Sequence, residues 1–271
     1  MRASSQASLD EARSRFAPVL REAGHDADSL GADLFSVADL LQDQGGLRRA
    51  LTDPSREGQD KADLISRLLS GKVSGSVLDL VAGMVRGRWS AAEDLIQAVE
   101  DLGVDALLAS AEADGVLEEL ESELFGVQRT LADNRPLRLA LGNKDRPMAD
   151  RMQLLDQLFG GKVAPQVTTL LHRALQSTRE ASLSASLVHL IEAAAQRREQ
   201  LVVTATAARP LSQAQIDRLR TMVERGYGRS AHINVAVDPG VIGGLHLQIG
   251  DEVVDATVLA RLDEARRRMA G

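Results

Sequence analysis

Leu30-Gly31-Ala32-Asp33-Leu34-Phe35-Ser36-Val37-Ala38-Asp39-Leu40-Leu41 returns 90 residues later as Leu120-Glu121-Ser122-Glu123-Leu124-Phe125-Gly126-Val127-Gln128-Arg129-Thr130-Leu131. The likeness continues downstream. Leu47-Arg48-Arg49-Ala50-Leu51 matches Leu137-Arg138-Leu139-Ala140-Leu141, Leu64 and Leu68 match Leu154 and Leu158, and Gly71-Lys72-Val73 matches Gly161-Lys162-Val163. Without a gap, 17 of the 44 positions between Leu30–Val73 and Leu120–Val163 are identical. Shared helical composition does not give that, so the segment is duplicated.

Inside each copy the apolar residues recur at helical spacing: Leu30, Leu34, Val37 and Leu41, then Leu120, Leu124, Val127 and Leu131. That spacing puts one apolar stripe on each helix, and a stripe has to be buried. Gly45-Gly46, Arg135-Pro136, Ser70-Gly71 and Gly160-Gly161 mark where helices stop and turn. Leu95–Ala111 and Val116–Ala132 are rich in Ala, Leu and Glu and read as longer helices that link the copies semi-rigidly.

The pattern changes at Leu201. Val202-Val203-Thr204-Ala205-Thr206 is β-branched and strand-like, and after Arg209-Pro210-Leu211 the hydroxyl of Ser212 is placed to cap a helix running to about Glu224. Ile233, Val235 and Val237 alternate in a second strand, and Asp238-Pro239-Gly240 turns the chain. Leu245, Leu247 and Ile249 alternate in a third strand, Val253-Val254 gives a last short one, and Ala256–Met269 closes as a helix with Arg266-Arg267-Arg268 at its cation-favouring end. The fold class is mostly α: an N-terminal helical bundle region with an internal duplication, then a small α+β domain. Its expected parts are residues 1–110 with the first copy, 111–200 with the second, and 201–271.

Composition narrows the function. Aromatics are 2% of the chain, so Leu, Val and Ala fill the cores. The net charge is −7 and no basic tract is interleaved with aromatics, which speaks against nucleic acid as a partner. No apolar run reaches the roughly 18 residues of a membrane span, so direct membrane insertion is not expected. Met1–Asp10 has no signal-peptide core, and the absence of cysteine excludes thiolate chemistry and suits a reducing compartment.

No catalytic, cofactor-binding or metal residue is assigned. Gly71-Lys72-Val73 and Gly161-Lys162-Val163 lack the earlier glycine of a phosphate-binding loop, Ser66 and Asp156 standing in its place, and Val follows each lysine, so both are turns between helices. Gly240–Gly244 leads into a strand where a dinucleotide fingerprint needs a helix. His25, His172, His189, His232 and His246 form no zinc-ligand spacing. Glu118, Glu119, Glu121 and Glu123 face different sides of one helix beside no nucleophile, and no Gly-x-Ser-x-Gly elbow occurs. The apolar stripes remain open to two uses, internal packing or the docking of a partner helix.

The last 70 positions resemble a known family. Val203-Thr204-Ala205-Thr206, Arg209-Pro210-Leu211-Ser212, Val237-Asp238-Pro239-Gly240-Val241-Ile242-Gly243-Gly244 and Ile249-Gly250-Asp251 look like the C-terminal signature of ATP synthase delta subunits, the oligomycin sensitivity-conferring proteins of mitochondria. Leu117–Ala195, with Leu131-Ala132-Asp133-Asn134-Arg135-Pro136-Leu137, resembles that family's helical portion, and Leu30 to about Leu102 resembles the added copy of its longer actinobacterial forms. The resemblance implies a non-catalytic stator subunit without cofactor. It implies a peripheral place on the cytoplasmic side of the cell membrane, within a complex that couples proton motive force and hydrogen ion transport to ATP synthesis. Its implied partners are the N-terminal segments of the alpha subunits and the membrane-anchored b subunit. The rival reading is a helical scaffold or adaptor for other partner helices.

Overall fold

The computed structural model describes residues 1–143, 145–177, 182–199, 201–227, 231–238, 245–249 and 252–255. It divides into two compact units, Met1–Ala195 and Gln196–Gly271.

The first unit opens with α1 (Ala3–Ala23), a short 3-10 turn at Gly24–Asp26, and α2 (Ala27–Asp43). Then follow α3 (Gly45–Thr52), α4 (Gly58–Leu69), α5 (Gly75–Arg86) and α6 (Ala92–Ala113). The second copy supplies α7 (Leu117–Asp133), α8 (Arg135–Gly142), α9 (Met148–Phe159), α10 (Pro165–Gln176) and α11 (Leu183–Glu199). Each of α7 to α10 begins and ends 90 residues after its counterpart among α2 to α5.

The duplication extends to hydrogen bonds that close helix ends. Arg48 Nη1 donates to the carbonyls of Leu41 and Gln42, both at 3.3 Å, and Arg138 Nη1 to those of Leu131 and Ala132 at 3.1 and 3.2 Å. These are terminal carbonyls that the helices cannot satisfy themselves. Asp33 accepts from the Ser74 amide at 2.7 Å, and Glu123 from the Ala164 amide at 2.8 Å. Each carboxylate thus sits at the positive N-terminus of α5 or α10 and ties it to α2 or α7. Asp53 and Asn143 each fold back on the amide two residues on, at 2.9 and 3.0 Å.

Both predicted stripes are buried: Leu34 and Leu41 have no exposure, and neither does Leu124, with Val127 at 2%. The first unit contains two hydrophobic clusters, one drawn from α1 to α6 and the other from α6 to α11 plus Phe35. The sequence suggests a linker at Leu95–Ala111, but α6 is part of both cores. Its Leu95, Val99, Leu102 and Ala106 join the first cluster with the spacing that Leu183, Leu187, Leu190 and Ala194 of α11 use in the second. Its Val104, Leu107, Leu108 and Ala111 join the second cluster with the spacing that Phe16, Val19, Leu20 and Ala23 of α1 use in the first. One helix therefore ends the first bundle and begins the second.

The second unit is a four-stranded sheet in the order β2-β1-β3-β4, with α12 (Gln213–Tyr227) between its first two strands in sequence. β1 (Leu201–Ala207) runs parallel to β2 (Ala231–Val237) and antiparallel to β3 (Leu245–Ile249), which pairs antiparallel with β4 (Glu252–Asp255). The core under α12 is Val203, Ala205, Ile233 and Leu247 against Leu219 and Val223. Ser212 caps α12 reciprocally: the Gln215 amide donates to its Oγ at 3.4 Å and its own amide donates to Gln215 Oε1 at 2.9 Å. Val237, expected to alternate inward, is 50% exposed at the end of the edge strand β2. The expected turn at Pro239–Gly244, the Gly250-Asp251 ending and the closing helix at Ala256–Met269 lie outside the described residues.

Candidate interface

The features considered for chemistry in the sequence take structural places. Gly71 and Gly161 both have positive φ, 71° and 68°, and the following lysine amide donates to the carbonyl of Leu69 or Phe159 at 2.9 Å. These are helix-terminating turns. His172 meets Asp156 at 2.7 Å across α9 and α10, His189 lies 3.5 Å from Asp101, and exposed His25 lies beside Asp26. Glu123 is spent on the α10 cap, whereas Glu121 is buried. Among the described residues no group of three or more His, Cys, Asp or Glu is placed to hold a metal ion.

A polar cluster instead joins the two copies. Arg173 of α10 donates to Asp39 of α2 at 2.7 Å and to Glu100 of α6 at 3.0 Å, with its side chain 12% exposed. Its guanidinium stands 4.7 Å from the centroid of the Phe35 ring, a cation–π contact. That ring presses on Gly103 of α6, where a Cβ would lie 2.5 Å from Phe35 Cε1. Gly31 of α2 makes the same crossing close from the other side, 3.1 Å from the Gly103 carbonyl on the same measure. Two small residues thus bring α2 and α6 together.

Burial pushes the Glu100 carboxyl above its ordinary value near 4.5, and Arg173 only partly offsets this. Little more than one turn beyond Glu100, Asp105 of α6 binds Arg13 of α1 at 2.8 Å. Burial works against the Arg13 charge, but the carboxylates of Asp105, Asp101 and Asp10 together hold the guanidinium above its usual value. Sequence reading missed this junction, since Phe35 looked like an ordinary member of a helix. The signal was the pair Phe35 and Phe125 set against Gly103, because only one of the two equivalent aromatics has a glycine to rest on. Phe125 is 48% exposed.

The first bundle has a shallow seam between α1 and α5, lined by Ser8, Glu11, Arg15, Leu80, Gly83 and Gly87. On α12 the exposed Met222 is flanked by Asp217, Arg218, Thr221 and Arg225.

A sequence profile described as ATP synthase delta (OSCP) subunit matches residues 104–269, beginning within α6 and covering the second copy and the α+β unit. An ATP synthase subunit delta of Beutenbergia cavernae is 52% identical over all 271 residues and the full length of that protein. Counterparts from Kineococcus radiotolerans and Streptomyces griseus are 43% and 41% identical, over 98% and 100% of this chain and 96% and 100% of their own lengths. The first copy, largely outside the profile match, is therefore shared with full-length relatives rather than peculiar to this sequence. The chain belongs to the ATP synthase delta (OSCP) family and is a non-catalytic, structural subunit of the F-type enzyme's peripheral stalk.

Proposed function

We infer that this subunit bridges the catalytic head, through N-terminal segments of the alpha subunits, to the membrane-anchored b subunit on the cytoplasmic side of the membrane. By doing so it keeps the head from following the central rotor during proton-driven synthesis. The observation that carries this reading is the division of the chain into two units, each with its own core. Each unit is able to hold one partner, and no helix among the described residues is long and apolar enough to cross a membrane by itself. A link of two contacts in series bears only what its weaker contact bears, which favours an extended helical interface over a single loop contact.

The test is reconstitution. Head stripped of its delta subunit should co-sediment with the purified chain, and a soluble C-terminal segment of b should titrate onto the same chain without displacing the head. A folded chain that binds neither overturns the bridging role and leaves the adaptor reading in its place.

A further inference from the structure

In the first copy three side chains converge on one cation of the second. The Phe35 ring stands 4.7 Å from the Arg173 guanidinium, and Asp39 and Glu100 accept from it at 2.7 and 3.0 Å. The duplication places the same face in the second copy on α7 and α11. The 90-residue spacing of α2 and α7 carries Phe35 to Phe125 and Asp39 to Arg129. The spacing that matches Leu95 of α6 to Leu183 of α11, 88 positions on, carries Glu100 to Val188 and Gly103 to Ile191. There Phe125 and Val188 are 48% and 41% exposed. Exposed Arg129 meets Asp133 of its own helix at 3.9 Å, a contact that is weak in water. Ile191 is buried where Gly103 gave Phe35 its bed, so Phe125 stands out from the bundle instead of lying against a bare backbone. Relative to the first face, one carboxylate has become an aliphatic side chain and the other a cation.

The covered face of the first copy sets the terms of the contact: a helix, α10, lies over it and brings a cation to its carboxylates. With the charge reversed at Arg129, the helix that covers the second face brings a carboxylate to that arginine and small or apolar residues over Phe125 and Val188. The face lies inside residues 104–269, the part of the chain that the family profile covers, and so does not belong to the added copy. Of the two partners in the bridging function, the head offers terminal segments, whereas a subunit anchored in the membrane has to cross the distance to this chain as an extended element. An extended helix meets a shallow two-helix face side-on, along its length. We propose that the α7/α11 face marked by Phe125, Val188 and Arg129 is where an acidic amphipathic helix of the b subunit packs along the second bundle. This rests on the bridging function above and adds to it a place on the helical unit for the membrane-anchored partner.

The full chain is titrated with a soluble C-terminal segment of the b subunit from the same genome, and separately co-sedimented with head stripped of its delta subunit. Val188→Glu and Arg129→Glu should each weaken binding of the b segment by about tenfold or more and leave head binding unchanged. Added salt should weaken the wild type more steeply than Arg129→Gln, which lacks the charge. Leu68→Ala, at an exposed apolar residue of α4 in the first copy, should change neither binding. All four positions are on the surface, and thermal unfolding of each variant confirms that it is folded. If every variant binds the b segment as tightly as the wild type does, the face assignment falls and the bridging function stands. Weakened head binding with the b segment still held makes the head the occupant and overturns the choice of b. Self-association that Val188→Glu abolishes makes a second copy the occupant and overturns it too. A wild type that binds head but not the b segment removes this inference together with the b half of the bridge, and one that binds neither overturns the bridging function as a whole.

Discussion

The Phe35 ring lies against the bare backbone of Gly103, so close that an added methyl would stand 2.5, 2.8 and 3.0 Å from three of its carbons. Gly103→Ala should therefore lower stability by about 1 to 3 kcal/mol despite alanine's better helix propensity. In contrast, Gly126→Ala, inside α7 with nothing within 4 Å of its new Cβ, should raise stability by about 0.5 to 1 kcal/mol. Opposite shifts in urea midpoint for two Gly→Ala changes check the crossing directly, and equal shifts would refute it.

Arg173→Ala removes one partner from a half-enclosed network and leaves Glu100 beside Asp101 with its burial uncompensated. A loss of about 2 kcal/mol is expected, measured by chemical denaturation. Restoring much of it with the further change Glu100→Gln would confirm that the stranded carboxylate is the cause.

Stability should also report on Glu100 through pH. Its carboxyl is raised in the folded state, so the folded protein holds this proton more tightly than the unfolded chain. Stability contributed by the protonated form is therefore present below the ordinary value near 4.5 and is lost as pH rises from there through the raised value. Glu100→Gln should flatten that part of the stability profile, and a profile unchanged from wild type would show that Glu100 does not contribute to it.

Removal of Leu30–Glu119 joins α1 to the second copy, where its Phe16, Val19, Leu20 and Ala23 can take the positions of Val104, Leu107, Leu108 and Ala111. The product should fold. It also sets Arg15 opposite Arg173, two like charges at one crossing, which costs about 1 kcal/mol. Adding Arg173→Gly to the deletion should recover that stability, whereas in the intact chain the same change should be destabilising.

Much of the helical architecture was legible because a repeat tests itself. Leu30, Leu34, Val37 and Leu41 form a plausible stripe, and finding it again at Leu120 to Leu131 makes it a constraint. The strand at Val202–Thr206 was legible from its β-branched residues, that at Leu245–Ile249 from alternation, and Ser212 from capping chemistry. The double role of α6 was not. Helical periodicity reports that a face is apolar but not which of two cores it enters, and α6 is apolar on nearly every side. The junction was hidden for a related reason. Phe35 and Phe125 hold equivalent places in the repeat, each after a Leu and two residues before a Val, and what separates them is a glycine nearly 70 positions from Phe35 that only tertiary structure brings near.

Because α6 belongs to both bundles, the helical unit has no seam at which it can come apart one copy at a time. Melting the second bundle strips a wall from the first. Amide hydrogens along α6 should accordingly exchange last, and a pull applied across the helical unit meets a continuous strut where a tandem of separate bundles would offer a hinge. The economy is also architectural: the second copy adds five helices, α7 to α11, rather than six, as a terrace adds houses by sharing a party wall.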